Sequence, residues 1–398
     1  MDVRNASLSR SGWSKGFVLK WEDFRPGDII LSRHSKGGDD STYSVLKSRS
    51  IQIATHGEYS HAMLYFQQTI IHAVPPGVFA TNPQRQIVAH ENDFCVLRYP
   101  ELSSVECDII EEFARSRVGS LYHLRLSEIA NFISKGLVPV SSVDTKQFCS
   151  RLVAQAYMAA KINIVKNPNC CAPGDFLNSD VLHVVEGVTR EADDQDLRII
   201  NSRDLVKQNF DNTFKWLNAA REFAKGSQID IQTVNDAISY AVADKDADSV
   251  ISKAIETSGY LSDWKDERNA HPYRYIQCEL LMALKAKMTT FEREIIAESK
   301  EAYRHCLELI KFAYICKQSN CKTAKLHLDL HTDIVKDLIV KLNTLAQVTM
   351  LSGHINYDVV RLRMLCEQVV GKNGLDSYDE IKKELDGLMH DIQSCSKC

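Results

Sequence analysis

The chain has 398 residues, of which 44% are hydrophobic and 25% are charged, so it can form two globular domains of ordinary composition. Its formal net charge of −4 provides no overall positive field for phosphates, which argues against a nucleic-acid-binding protein. The 12 cysteines are scattered along a long chain and indicate reduced thiols rather than a disulfide framework. No stretch approaches the ~20 apolar residues that span a bilayer, and the polar start predicts a protein made in the cytoplasm. Export by a signal-independent secretion system remains open.

Short runs typical of β-strands occupy the first part of the chain. Pro26-Gly27 is a turn signal, and strands are predicted at 28–31, 60–66, 69–74, 86–90 and 94–99. Their spacing and the intervening Pro, Gly and Asn residues predict a small antiparallel sheet or barrel.

The hydrophobic period changes to that of helices from about Val105. One helix is predicted to end near Gly119, and a second covers DTKQFCSRLVAQAYMAAKI, with Asp144 or Thr145 as its cap. Beyond about residue 200, amphipathic stretches follow one another with few strand signals. We therefore expect an α+β protein: a domain at 1–190 with a sheet or barrel plus helices, an acidic linker near 186–200, and an all-α domain at 200–398.

Two histidines fall on neighbouring strands of a predicted hairpin. Only Gln67 and Gln68 separate the two strands, and a two-residue loop would place Met63 opposite His72. Because side chains alternate along a strand, His61 and His72 then share one face as diagonal neighbours. One imidazole can accept a proton from a nucleophile while the second orients it. A longer loop would shift this register.

Cys149 is the candidate nucleophile. It lies in the first turn of the second predicted helix, where the helix dipole and a neighbouring imidazolium favour a thiolate and where amide N–H groups can hold an oxyanion. Cys107 also lies on a helix, but no capping signal is evident just before it. Taken alone, a helical cysteine is more often a small buried hydrophobic residue, so the hypothesis depends on the three residues together.

Five segments carry a resemblance to a known family: FRPGDIIL, GEYSHAMLY, IIHAVPPGV, VGSLYHLRL and FCSRLVAQAY. Together they resemble the circularly permuted branch of the NlpC-type papain superfamily, which includes YiiX- and YaeF-type hydrolases and, more distantly, the lecithin–retinol acyltransferase group. The resemblance covers about residues 25–180. It implies a catalytic triad of Cys149, His61 and His72, and it places Tyr122 near the active cleft. Arg151 stands where many relatives have an acidic residue, which is a departure from the family pattern.

Three functions from different classes remain open. The first is a thiol hydrolase that cleaves an amide, peptide or thioester bond, including a delivered antibacterial effector (a toxin) or a host-directed one. The second is a lipid acyltransferase or thioesterase with the same triad, for which the apolar stretch 129–140 could line a groove or form a flap. The third is a non-catalytic interaction protein that acts through the helical half, which could bind a delivery protein, an inhibitor or a target.

No cofactor or metal is expected. The pairs CKQSNC (316–321) and CSKC (395–398) lie about 75 residues apart and do not form a compact zinc module. His327 and His331 have the i, i+4 spacing of metal ligands, but such a pair more often lies on a solvated helix face.

Overall fold

The computed structural model describes residues 12–33, 58–66, 69–122, 147–286, 288–353, 356–371 and 378–395. The chain divides into two compact units. The first contains residues up to Phe210 together with Gln232–Val234, and the second contains Asp211–Ile231 together with the residues from Asn235 onward.

The first unit is built on antiparallel sheets, as the strand pattern predicts. The strands among the described residues are β1 (Phe17–Leu19), β2 (Ile29–Ser32), β3 (His61–Phe66), β4 (Thr69–Val74), β5 (Gly77–Thr81), β6 (Ile87–Val88), β7 (Phe94–Arg98), β8 (His183–Val185) and β9 (Thr189–Glu191). They form a six-stranded sheet of order β5-β4-β3-β2-β7-β8 and a three-stranded sheet of order β6-β1-β9.

Both faces of the central strands of the larger sheet are buried, and most of the residues on these strands are apolar. One face packs against residues of the smaller sheet through Met63, Tyr65 and their neighbours. The other face, which carries Ala62 and Leu64, packs against helices. These helices are α1 (Ser104–Ser116) and α2 (Cys149–Ala159), and α2 contacts β3 and β4 directly.

The Pro-Gly-Asp turn before β2 fixes the start of the sheet. Gly27 has φ +94°, a backbone conformation that glycine adopts without strain and that other residues rarely adopt. The buried Asp28 carboxylate accepts two hydrogen bonds from Arg98, at 2.7 and 2.6 Å. The Tyr157 hydroxyl, on α2, donates to the Gly27 carbonyl at 2.6 Å. This turn therefore joins the sheet to the helix that begins at Cys149.

Three local predictions need correction. The stretch 186–200, expected to be a linker, contains β9 and most of α3 (Asp194–Asn201), because Asp193 caps the helix and the strand pairs with β1. Helix α1 does have a capping signal before Cys107: Ser103 and Glu106 form a capping box. Helix α2 begins after Phe148, which makes no side-chain capping bond, whereas the predicted caps at 144 and 145 lie outside the described residues.

The second unit is all-helical, as expected from its amphipathic pattern. Helix α4 (Leu205–Ala224) spans the boundary at Phe210. The helices that follow are α5 (Val234–Ala243), α6 (Lys245–Ser258), α7 (Asp263–Ala270), α8 (Gln277–Lys285), α9 (Phe291–Gln318), α10 (Lys322–Leu351), α11 (Tyr357–Gly371) and α12 (Tyr378–Cys395). Along the described ranges, none of the helices combines the length and the apolar character needed to cross a membrane.

His327 and His331 lie on α10 in the interior of the second unit, so their expected position on a solvated face is wrong. They are 1% and 8% exposed. The ring of Phe312 stacks on both imidazoles, with centroids 4.8 and 5.6 Å away. His331 Nδ1 lies 2.9 Å from His305 Nδ1. Burial lowers the pKa of His327 to about 3 and lowers that of His331 well below its ordinary value.

Candidate active site

The predicted hairpin register is confirmed. Strands β3 and β4 pair Met63 with His72 and Phe66 with Thr69. The diagonal neighbours His61 and His72 consequently meet: Nε2 of His61 lies 2.8 Å from Nδ1 of His72, and both rings are buried. At this distance one nitrogen donates a hydrogen bond to the other, which fixes the orientation of both imidazoles.

Cys149 is the first residue of α2, in agreement with the prediction that it lies in a first helical turn. Its side chain is buried, and its sulfur lies at the backbone amides of Ala62 and Ser150. Ala62 is the residue after His61, so the thiol lies beside the strand that carries the histidine. The fold therefore brings the helix start and the histidine pair to one place, although 88 positions separate Cys149 from His61 in the sequence.

Burial raises the pKa of the Cys149 thiol above its ordinary value. The amides of Ala62, Ser150 and Cys149 act in the opposite direction, as expected at a helix start, but desolvation is the larger effect. The thiolate expected from the helix dipole is therefore not the resting form at neutral pH. A neutral thiol needs a base that removes its proton.

Neighbouring side chains hold the start of α2 against the loop 167–172. The Ser150 hydroxyl donates to the Cys171 carbonyl at 2.5 Å. Arg151 is 1% exposed, donates from Nε to the Asn169 carbonyl at 2.8 Å, and lies over the Phe148 ring at 4.4 Å. The arginine that replaces the acidic residue of many relatives thus has a structural contact on the loop side of the helix.

Tyr122 lies next to the segment that leads into helix α2. It forms a parallel bridge with Gln147, two residues before Cys149, and its amide donates to the Pro76 carbonyl at 2.9 Å. These contacts place the backbone of Tyr122 beside the residues that precede Cys149. A substrate contact by Tyr122 remains a proposal.

The sequence did not predict the aromatic contact behind the histidine pair. Phe79, on β5, pairs with His72 across the sheet, and their ring centroids are 4.6 Å apart. The sequence GVFAT, directly after Pro75-Pro76, could have predicted this contact. A short strand there would pair with β4 as the next strand of a meander.

The described residues contain no group of three or more His, Cys, Asp or Glu side chains that could hold a metal ion. Cys321 instead caps α10 by accepting the Ala324 amide, and its thiol donates to Asp248 at 3.2 Å. The side chains of the CSKC pair (395–398) lie outside the described residues.

A sheet covered by a helix that starts on a buried cysteine, with a histidine at the start of an adjoining strand, is the arrangement of a papain-like cysteine hydrolase. Residues 23–210 match the family model described as permuted papain-like amidase enzyme, YaeF/YiiX, C92 family. This segment, just under half of the chain, is similar to that amidase family. A search of curated proteins found no significant match.

Proposed function

We propose that the protein is a thiol amidase in which Cys149 is the nucleophile, His61 is its base and His72 orients His61. The observation that carries this proposal is the 2.8 Å contact between His61 Nε2 and His72 Nδ1 beside the helix start of Cys149. With Nε2 of His61 donating to His72, Nδ1 of His61 is the nitrogen assigned to the thiol proton.

Acylation starts when the carbonyl carbon of a substrate amide approaches the sulfur. The thiol proton passes to His61, the sulfur forms a bond to the carbonyl carbon, and the carbonyl oxygen becomes an oxyanion that the Cys149 amide at the start of α2 can stabilise. His61 then gives the proton to the leaving nitrogen as the C–N bond breaks. The amine departs and a thioester on Cys149 remains.

Deacylation reverses these roles. His61 takes a proton from a water molecule, whose oxygen attacks the thioester carbon, and the C–S bond breaks as the thiol is reprotonated. The product is a carboxylic acid. An acyl acceptor other than water would yield a transferase from the same residues. Residues 129–140, which suggested a lipid groove, lie outside the described residues. The match to an amidase family supports hydrolysis as the function proposed for this site.

The substrate is proposed to be a peptide-type amide, including a cell-wall peptide. A wall substrate lies outside the cytoplasm, so this choice implies delivery and a role as an antibacterial effector. To test for a wall substrate, wild type and Cys149→Ala are expressed in the cytoplasm and, with an added signal sequence, in the periplasm. Toxicity confined to periplasmic wild type supports a wall substrate. Toxicity in neither compartment counts against it.

The test of the chemistry is hydrolysis of a panel of fluorogenic peptide amides, isopeptides and thioesters. Wild type is compared with Cys149→Ala, and Cys171→Ala is the matched control because that thiol is also buried in the same unit. We expect hydrolysis to disappear with Cys149→Ala and to persist with Cys171→Ala. Full activity of Cys149→Ala on any cleaved substrate would refute the proposal.

A further inference from the structure

Two aromatic rings pack one behind the other against His72, the histidine proposed to orient the base. The Phe79 ring is tilted against His72 at a centroid distance of 4.6 Å, and Phe210 lies behind Phe79 at 4.2 Å. Phe79 is half-buried and Phe210 is buried. Because Phe210 covers Phe79, it restricts the rotamers of the ring that contacts His72.

A second contact reaches the segment between β5 and the nucleophile helix. The Val78 amide donates to the Ser120 carbonyl, and Gly77 forms a bridge with Leu121, so residues 119–122 lie along β5. The Gln147 amide donates to the Leu121 carbonyl at 3.0 Å, two residues before the nucleophile. The amide of Leu121 itself donates to Oε1 of Gln232 at 3.1 Å.

Phe210 and Gln232 lie at or beyond the end of the amidase family match, which stops at residue 210, yet both belong to the first compact unit. Gln232 is 4% exposed, so its side chain is buried within the first unit. One residue supports the ring behind His72, and the other supports the backbone that leads to Cys149.

We infer that Phe210 and Gln232 are positioning residues of the amidase site: Phe210 sets the ring orientation of His72 through Phe79, and Gln232 sets the backbone at Leu121 that aligns the segment before Cys149. The inference rests on the proposed function, and it assigns a part in catalysis to the last residue of the family match and to a residue beyond it. A displacement of about 1 Å at a reacting group can cost up to about a hundredfold in rate, so small shifts here are measurable.

For Phe210 the variants are Phe210→Leu, which removes the ring, and Phe210→Tyr, which keeps it, in the full-length protein. Phe223→Leu is the matched control, because Phe223 lies on the same helix and its ring pairs with Tyr240 instead. We expect Phe210→Leu to lower kcat about tenfold at unchanged KM, with Phe210→Tyr and Phe223→Leu near wild type. Nitrogen-15 histidine spectra are expected to show loss of the single hydrogen-bonded tautomer of the His61–His72 pair in Phe210→Leu alone.

For Gln232 the variants are Gln232→Met, which removes the acceptor at similar length, and Gln232→Glu, which restores an acceptor for the Leu121 amide. The exposed Gln195, changed to Met, is the control. We expect Gln232→Met to reduce kcat about tenfold at constant KM and to speed hydrogen exchange at the Leu121 amide, with recovery of both in Gln232→Glu.

Thermal midpoints are measured for every variant, and Phe210→Met replaces Phe210→Leu if the latter does not fold. Wild-type kcat together with unchanged histidine spectra in the folded Phe210 variant would overturn the role of Phe210. Wild-type kcat in Gln232→Met, or no recovery in Gln232→Glu, would overturn that of Gln232. If one of these overturning results is found while Cys149→Ala is inactive, only this inference is refuted. If Cys149→Ala is active, the proposed function is refuted.

Discussion

Replacing His72 tests whether the second histidine of the pair orients the first. His72→Leu removes the acceptor of the 2.8 Å hydrogen bond from His61 Nε2 and puts an apolar side chain of similar size in its place. Because both rings are buried, the His61 N–H is then left without that partner, at a cost of about 1–3 kcal/mol. At about 1.4 kcal/mol per tenfold in rate, kcat/KM should fall by about 5- to 150-fold.

His72→Asn is the matched variant, because its Oδ1 stands near the position of the imidazole Nδ1 and can accept the same hydrogen bond. We expect Asn to retain most of the activity that Leu loses, measured as kcat/KM on the best peptide amide of the panel at neutral pH. Thermal midpoints check that both variants fold. The reasoning is refuted if His72→Leu hydrolyses the substrate as fast as wild type, or if Asn and Leu are equally impaired while folded.

Three further outcomes follow from burial and charge. Iodoacetamide at neutral pH should label the exposed Cys278 before Cys149, because burial raises the pKa of the Cys149 thiol. Peptide mass spectrometry of timed samples measures the order of labelling, and the reverse order would contradict the prediction. Since the pKa of His327 is lowered to about 3, the unfolded state takes up a proton there between pH 6.5 and 3, and stability falls as pH falls through that window. At pH 5 this effect lowers the free energy of unfolding by about 2 kcal/mol. Urea unfolding at pH 7 and pH 5 should therefore show a smaller change in that free energy for His327→Leu than for the exposed control His390→Leu. Equal changes in the two variants would refute the prediction. Arg98→Met should lower the free energy of unfolding by about 3–5 kcal/mol, because it leaves a buried carboxylate without its bidentate partner, and a loss below about 1 kcal/mol would contradict that assignment.

The hairpin could be predicted from sequence because two strong signals coincided. Short runs of residues typical of β-strands defined both strands, and two intervening residues left little freedom in register, so the pairing of Met63 with His72 followed. The position of Cys149 in a first helical turn was also predictable, but the cap was not. Phe148 has no side-chain acceptor, and the helix start depends on backbone contacts with a distant segment.

Other features depend on contacts that no local pattern encodes. Strands β1, β8 and β9 have three residues each, too few to show a period, and they form only because neighbouring strands supply partners. The helix dipole correctly indicated stabilisation of a thiolate at Cys149, but burial by tertiary packing outweighs it. His327 and His331 look like a surface pair along one helix. They are buried because Phe312 on α9 stacks on both rings and because Trp216 and Tyr260 pack against His327.

The most direct measurement of the central claim is active-site labelling with a peptidyl acyloxymethyl ketone, an electrophile that alkylates a cysteine after binding as a peptide. Wild type and His61→Ala are treated side by side, and the modified residue is identified by peptide mass spectrometry. The account predicts a single adduct on Cys149 in wild type and a much slower one in His61→Ala, because the neutral buried thiol needs its base. Labelling of another cysteine in preference to Cys149, or equal labelling of Cys149 in both proteins, would contradict it.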